Sequence, residues 1–360
     1  MKIVIDFCHP AHVHYFRNFI RIMQDNGHKF LFFARERYPI QDLLAYYKIP
    51  YINRGKGSNT MLGKLLYIPK AVYTIYKYAS KFKPDLFIDY GDFYAAFNAF
   101  FLRAYYIALD DTESAWMCRV LHMPFTHAIL TPDSFMKNLG RKHLRYPGTI
   151  ELAYLHPKRF NPNPQVLSLL GISDKERYAI VRFTSWNAYH DVGHRGITYE
   201  NKIMLVKELA KHLKVFVSAE SEIPVELNEY GISIKPELMH HALFYAWLLI
   251  GESGTMSSES SLLGTPAIFI HNSHFGCIDE QAEFGLIHTF GESKDEQCKA
   301  IAKAMEIAQS QTAKSEAAKK LYAYLVDKID LTAFLVWFVE NFPGSQKEMM
   351  LCGFNFNRFS

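Results

Sequence analysis

Positions 2–7 are a short, mainly apolar run, apolar residues recur at helical spacing at Val13, Phe16, Phe19, Ile20 and Met23, and, after Gly27, 29–34 is mainly apolar again. A short run, a 3.6-residue period and a second run predict a β-α-β unit. The pattern repeats, with strands expected at 85–89 after a helix ending near Lys83-Pro84, at 105–109 and at 128–131. Three prolines crowd 157–164, so 151–164 is expected to hold no regular element. Beyond it the alternation restarts, with strands expected at 178–183, 214–218, 232–234, 247–251 and 267–270. Strands alternating with helices imply parallel, doubly wound sheets. The expected organisation is a domain at 1–155, a linker at 156–165, a second domain at 166–325, a helix at 326–342 that returns to the first domain, and an aperiodic tail at 343–360.

Composition narrows the class. The chain has 360 residues, 49% hydrophobic and 21% charged, which excludes disordered, collagen-like and coiled-coil proteins. Forty Lys and Arg against 36 Asp and Glu leave +4, too weak a field for a nucleic-acid footprint. Five cysteines without a C-x-x-C pair argue against a disulfide framework or zinc finger. Asp6 interrupts the first apolar run and no stretch approaches the roughly 20 residues of a membrane span. A cytoplasmic protein is expected, with peripheral contact to the inner face of the cell membrane left open. That contact would come from a predicted helix in which Tyr67, Tyr73, Tyr76 and Tyr78 alternate with Lys64, Lys70, Lys77 and Lys81. Core packing of the tyrosines is the alternative.

Three groups of residues carry candidate chemistry. Gly251-Glu252-Ser253-Gly254-Thr255-Met256 follows a predicted strand, and the text runs on through Glu259 to Gly264-Thr265-Pro266. Small residues opening a helix present free N–H groups and the positive dipole end to a diphosphate, with Ser253, Gly254, Thr255 and Met256 as contacts. Glu259, one turn beyond Thr255, is placed to accept from ribose hydroxyls; a solvent-facing glutamate on a capped helix is the alternative. A second group, Arg182, Thr184, Ser185, Asn187, His190, Asp191 and His194, follows the strand 178–183. Arg182 in an apolar strand requires an anion, either a donor phosphate or a structural carboxylate. Gly193 and Gly196 oppose the helix that metal ligation by His190, Asp191 and His194 would need, and no metal is expected. The third group is His9, His12 and His14 after the first strand, with Asp110, Asp111 and Glu113, and Asp89, Gly91 and Asp92, at other strand ends. Helix capping is the alternative for His9 and His12 and for the carboxylates at 110–113.

The segment 251–266 resembles the donor-binding signature of GT-B glycosyltransferases and of UDP-N-acetylglucosamine 2-epimerase. With His9-Pro10-Ala11-His12-Val13-His14-Tyr15-Phe16, Ala34-Arg35, Glu151-Leu152-Ala153-Tyr154-Leu155-His156-Pro157, Val181-Arg182-Phe183 and Ala188-Tyr189-His190-Asp191, residues 1–325 are similar to a predicted glycosyltransferase family, domain of unknown function 354. The resemblance implies an α/β, GT-B-type fold of two Rossmann-like domains with parallel sheets facing a central cleft. It implies a nucleotide-sugar donor, most naturally a UDP-sugar, a carbohydrate or lipid-linked acceptor, and no cofactor or metal. His12 is then expected as the base that deprotonates the acceptor, since imidazole titrates near neutral pH. His9, Asp110 or Asp111 would assist it, while Arg182, Ser185, His190, Glu220 and His240 join the 253–259 segment around the donor. The implied function is sugar transfer in surface polysaccharide or glycolipid synthesis. A UDP-N-acetylhexosamine 2-epimerase or hydrolase, or a non-catalytic nucleotide-sugar binder, are the alternatives.

Overall fold

The first apolar run is strand β1 (Lys2–Phe7) and the amphipathic stretch after it is helix α1 (Pro10–Asp25), in a computed structural model that describes residues 1–57, 61–173, 176–184, 196–220, 222–351 and 353–360. Pro10 opens α1 at a position where its missing N–H is no loss, and the His9 ring accepts the Ala11 N–H at 3.3 Å. Strand β2 (Lys29–Glu36), α2 (Ile40–Tyr46), β3 (Ile52–Lys56), α3 (Met61–Phe82), β4 (Leu86–Asp89), α4 (Phe93–Leu102), β5 (Tyr105–Leu109), α5 (Trp116–His122), β6 (Ala128–Pro132), β7 (His143–Tyr146) and α6 (Leu152–Leu155) follow. The sheet is wholly parallel, in the order β3-β2-β1-β4-β5-β6-β7. Right-handed crossovers divide the helices between its faces. Helix α1 packs against α2 and α6, while α3 packs on α4 and α4 on α5.

The second unit runs through α7 (Gln165–Leu169), β8 (Tyr178–Phe183), α8 (Tyr199–Leu209), β9 (Lys214–Ala219), α9 (Met239–Tyr245), β10 (Leu248–Gly251), α10 (Gly254–Leu262), β11 (Ala267–Ile270), α11 (Gly276–Glu283), β12 (Ile287–Phe290), α12 (Lys294–Gln309) and α13 (Ala313–Leu325). Its sheet is also parallel, in the order β12-β11-β10-β8-β9. Valines, leucines and isoleucines of β8, β9, β10 and β11 pack on α8 and α12 to form its core.

The chain returns to the first unit through α14 (Leu331–Glu340) and α15 (Gly344–Met349), so that this unit comprises Met1–Arg159 and Asp327–Ser360 and the second Phe160–Val326. Helix α14 lies against α1, capped by Asp330, which also pairs with Arg159 at 2.7 Å. The described residues beyond α15 are held by ring contacts that have no period. Phe356 and Phe359 pack on Phe334, and the Arg358 guanidinium lies 4.1 Å from the Trp337 ring centroid.

Some expectations fail for local reasons. Residues 232–234 form no strand: among the described residues, their backbone pairing is limited to a bridge from Gly231 to Val217 and the Ile232 N–H on the Val217 carbonyl. The stretch 151–164 does hold an element, the buried turn of helix α6. Within the expected linker, Phe160 stacks on His241 and the Asn163 N–H reaches its Nδ1 at 3.1 Å, which places 160–165 in the second unit. Among the described residues no helix is long and apolar enough to cross a membrane.

Candidate functional site

Ligands of doubly wound sheets bind where neighbouring strands send their crossovers in opposite directions. That point lies between the carboxyl ends of β1 and β4 in the first unit and of β8 and β10 in the second.

In the second unit, Gly251 closes β10 against β8. A Cβ on it would stand 2.1 Å from the Arg182 carbonyl oxygen, so only glycine permits this approach. The next residue, Glu252, is buried and receives the Thr184 N–H on Oε2 at 2.9 Å and the Ile197 N–H on Oε1 at 2.6 Å. Ser185 and His190, expected as donor contacts, fall between those amides at 185–195, outside the described residues, as do Asn187, Asp191 and His194. Glu252→Gln turns one acceptor oxygen into a donor facing an N–H. A loss of about 2 kcal/mol is expected, with amide exchange at Thr184 and Ile197 accelerated in hydrogen-exchange NMR.

Helix α10 starts at this crevice. Ser253 caps it, its hydroxyl accepting the Met256 N–H at 3.3 Å. The N–H groups of Gly254 and Thr255, which have no acceptor within the helix, lie at its half-buried tip. From Met256 to Leu262 every residue is buried. The serines there serve a polar core network: Ser261 donates to the Gln281 side chain at 2.6 Å, and Gln281 donates to Ser258 at 2.9 Å. Gln281 had no signal in the sequence. Glu259 is 5% exposed, which excludes the solvent-facing alternative. Its Oε1 lies 2.9 Å from His240 Nε2, so α9 and α10 bring together two residues expected separately.

Arg182 finds its anion within the chain. Its Nη2 pairs with Glu220 at 2.8 Å and Nη1 donates to Ser218 at 2.7 Å. Of the two anions expected for Arg182, the structure supplies the structural carboxylate, Glu220.

At the first unit's crevice, His12 is 8% exposed and packs its ring 5.0 Å from Tyr90, which follows β4. His12 Nδ1 and the Tyr90 hydroxyl are both buried without a hydrogen-bond partner among the described residues. The two rings lie at van der Waals distance, so the two unpartnered polar atoms share one crevice. Burial, with His9 and Arg37 adding to it, holds the His12 pKa well below the ordinary 6.5, so the ring is neutral and able to take a proton. Tyr90 was not anticipated, its type and position being ordinary for a strand end. His9 caps α1, and His14 stacks on Tyr154.

Residues 1–310 match the family model described as Protein of unknown function (DUF354). The chain belongs to the DUF354 family. A Methanocaldococcus jannaschii protein described as Uncharacterized protein MJ0665 is 26% identical over 300 residues, 80% of this chain and 88% of its own. Among solved structures, UDP-GlcNAc 2-epimerase of the same organism, in complex with UDP-GlcNAc and UDP, superposes with a TM-score of 0.63 at 15% identity, covering 90% of this chain and 100% of its own. MurG of Acinetobacter baumannii does so with 0.59 at 13% identity, covering 95% and 100%. The fold of this DUF354 chain is therefore α/β of the GT-B type.

The remaining acidic candidates of the DUF354 chain serve the fold. Asp110 pairs with Arg119 at 2.7 Å and accepts the Thr112 N–H. It is bound rather than free to assist His12. The capping alternative for 110–113 also fails, because α5 starts at Trp116 after Ala115 and has no side-chain cap. Asp111 accepts the Thr112 hydroxyl, and burial, reinforced by Glu113, pushes its pKa up to about 6. Asp89 is buried against the Tyr106 hydroxyl at 2.6 Å. Asp92 caps α4 and joins Asp6 and Cys8, whose ligand atoms lie within 4.8 Å of one another as a metal would require. The cation of that cluster is Arg54, 2% exposed, which reaches Asp6 at 2.8 Å, Cys8 at 2.9 Å and Asp92 at 3.3 Å.

Proposed function

We propose that this protein binds a nucleoside diphosphate sugar, most simply a UDP-sugar, at the β8–β10 crevice and transfers the sugar to a hydroxyl acceptor. The observation that carries the reading is the start of α10 beside a carboxylate held by an imidazole: Gly254 and Thr255 amides for the diphosphate, Glu259 braced by His240 for the ribose. The superposition with an enzyme solved with UDP-GlcNAc and UDP supports the choice of base.

In this mechanism the helix start, with the Gly254 and Thr255 amides and the proton of the Ser253 hydroxyl, stabilises the charge that develops on the departing diphosphate, while the Met256 N–H holds Ser253 in place. Neutral His12 takes the proton of the acceptor hydroxyl, whose oxygen bonds to the anomeric carbon as the bond to the diphosphate breaks and its electron pair leaves with the nucleotide. A carbohydrate or lipid-linked acceptor of surface polysaccharide or glycolipid synthesis fits this chemistry. Because the His12 pKa lies below 6.5, the acid limb of the pH–rate profile should also lie below 6.5.

An epimerase acting on UDP-N-acetylhexosamine is the second reading, favoured by the epimerase superposition. Proton NMR of UDP-sugars incubated with the protein separates the two: transfer consumes donor only when acceptor alcohols are added, epimerisation proceeds without them. His12→Gln is expected to lower turnover by about 10²–10⁴-fold while leaving UDP affinity unchanged. Full turnover in that variant would remove His12 from the mechanism.

A further inference from the structure

Helices α3, α4 and α5 form one layer over the first sheet, and their outer side is unusual in two respects. Leu66, Tyr73, Phe100, Phe101, Trp116 and Val120 are each 58% to 66% exposed on helices that pack side by side, and large apolar side chains gathered on one face, unlike those scattered singly, mark an interaction surface. Three of the four tyrosines of α3, Tyr73, Tyr76 and Tyr78, are exposed, while Tyr67 is half-buried and accepts from Arg54 at 2.6 Å. The three helices are also free of acid. Residues 61–82 contain four lysines and no Asp or Glu, and 93–103 and 116–127 contain two arginines and again no Asp or Glu. In a chain of 40 basic and 36 acidic residues, such depletion over three successive helices is a local property of this face.

We infer that this face docks on an anionic lipid bilayer. Apolar rings and branched side chains enter the headgroup boundary, while Lys70, Lys77 and Lys81, all exposed, meet the negative surface. Lysine and tyrosine suit that boundary because each pairs an apolar body with a polar end. A second copy of the chain is the poorer occupant: a two-fold contact sets the face against itself, lysines opposite lysines with no carboxylate on these helices to pair with them. The inference stands on the surface alone and does not require the proposed sugar transfer.

The test is sedimentation of the full chain with vesicles of phosphatidylglycerol and phosphatidylcholine, against vesicles of phosphatidylcholine alone. Binding to the anionic vesicles is expected to exceed that to neutral ones at least tenfold, and to fall as salt rises. Removing Lys70 and Lys77 as K70Q/K77Q should weaken it by about fivefold per lysine, and Phe100→Ser with Phe101→Ser should weaken it independently, with UDP affinity unchanged in both variants. Absent or equal binding to the two vesicle types, or binding indifferent to both variants, overturns the inference. So does a dimer in sedimentation velocity that Phe100→Ser with Phe101→Ser dissolves, since the face would then belong to a second copy.

Discussion

Glu259→Ala is expected to weaken UDP binding by about 10- to 100-fold, the worth of hydrogen bonds to a charged acceptor. The buried carboxylate stands one turn inside α10, with His240 Nε2 at 2.9 Å fixing its direction. Truncation removes the ribose acceptor and strands a buried imidazole, so folding should weaken as well. Glu259→Gln separates the two effects, because its carbonyl still accepts from His240 while the amide end replaces one acceptor by a donor. Thermal unfolding near wild type with reduced affinity is the expected pattern for Gln, measured by differential scanning fluorimetry and calorimetry. His240→Phe keeps the carboxylate but frees its orientation, and should cost affinity less than Glu259→Ala does.

The largest effect on stability is expected from Arg54→Met, about 3–5 kcal/mol, because the variant leaves Asp6 and Asp92 buried beside each other without their cation. The pH dependence gives this loss a signature. Burial, opposed by Arg54, already raises the Asp6 pKa from 3.8 to about 6. A carboxyl whose folded pKa lies above its unfolded value makes folding less favourable as pH rises between the two. Removing Arg54 raises the Asp6 pKa further, so the penalty grows above pH 6 and shrinks as acid neutralises the carboxyl. Urea unfolding at pH 5 and pH 8 should therefore show the variant closer to wild type at the lower pH. An equal deficit at both would mean that lost packing against Tyr94, not stranded charge, is the cause.

Elements with a strong period were legible in the sequence, as β1, α1 and the apolar strands β4, β5, β6, β8, β9, β10 and β11 show. The short strands β3, β7 and β12 were not, since Ile-Asn-Arg-Gly-Lys, His-Leu-Arg-Tyr and Ile-His-Thr-Phe carry little apolar pattern and are placed by the sheet beside them. The role of Arg54 was hidden with β3. Helix α10 shows the converse: its small-residue start read as a diphosphate contact, whereas the burial of its later serines was not legible, since α9, α11 and β11 pack around the helix and Gln281 bonds Ser258 and Ser261. Glu259 was legible as a singular acid in a small-residue run, and its pairing with His240 was not, because contact across 19 residues leaves no spacing to read. Arg182 signalled a cation within an apolar strand, and the sequence left its anion open between a donor phosphate and a structural carboxylate, which the half-buried side chain finds in Glu220.

Calorimetric titration of UDP into the full chain tests the central claim most directly. The account predicts one site, micromolar to submillimolar in affinity, that Glu259→Ala weakens and His12→Gln leaves intact. No heat at millimolar UDP, or binding indifferent to Glu259→Ala, would contradict it.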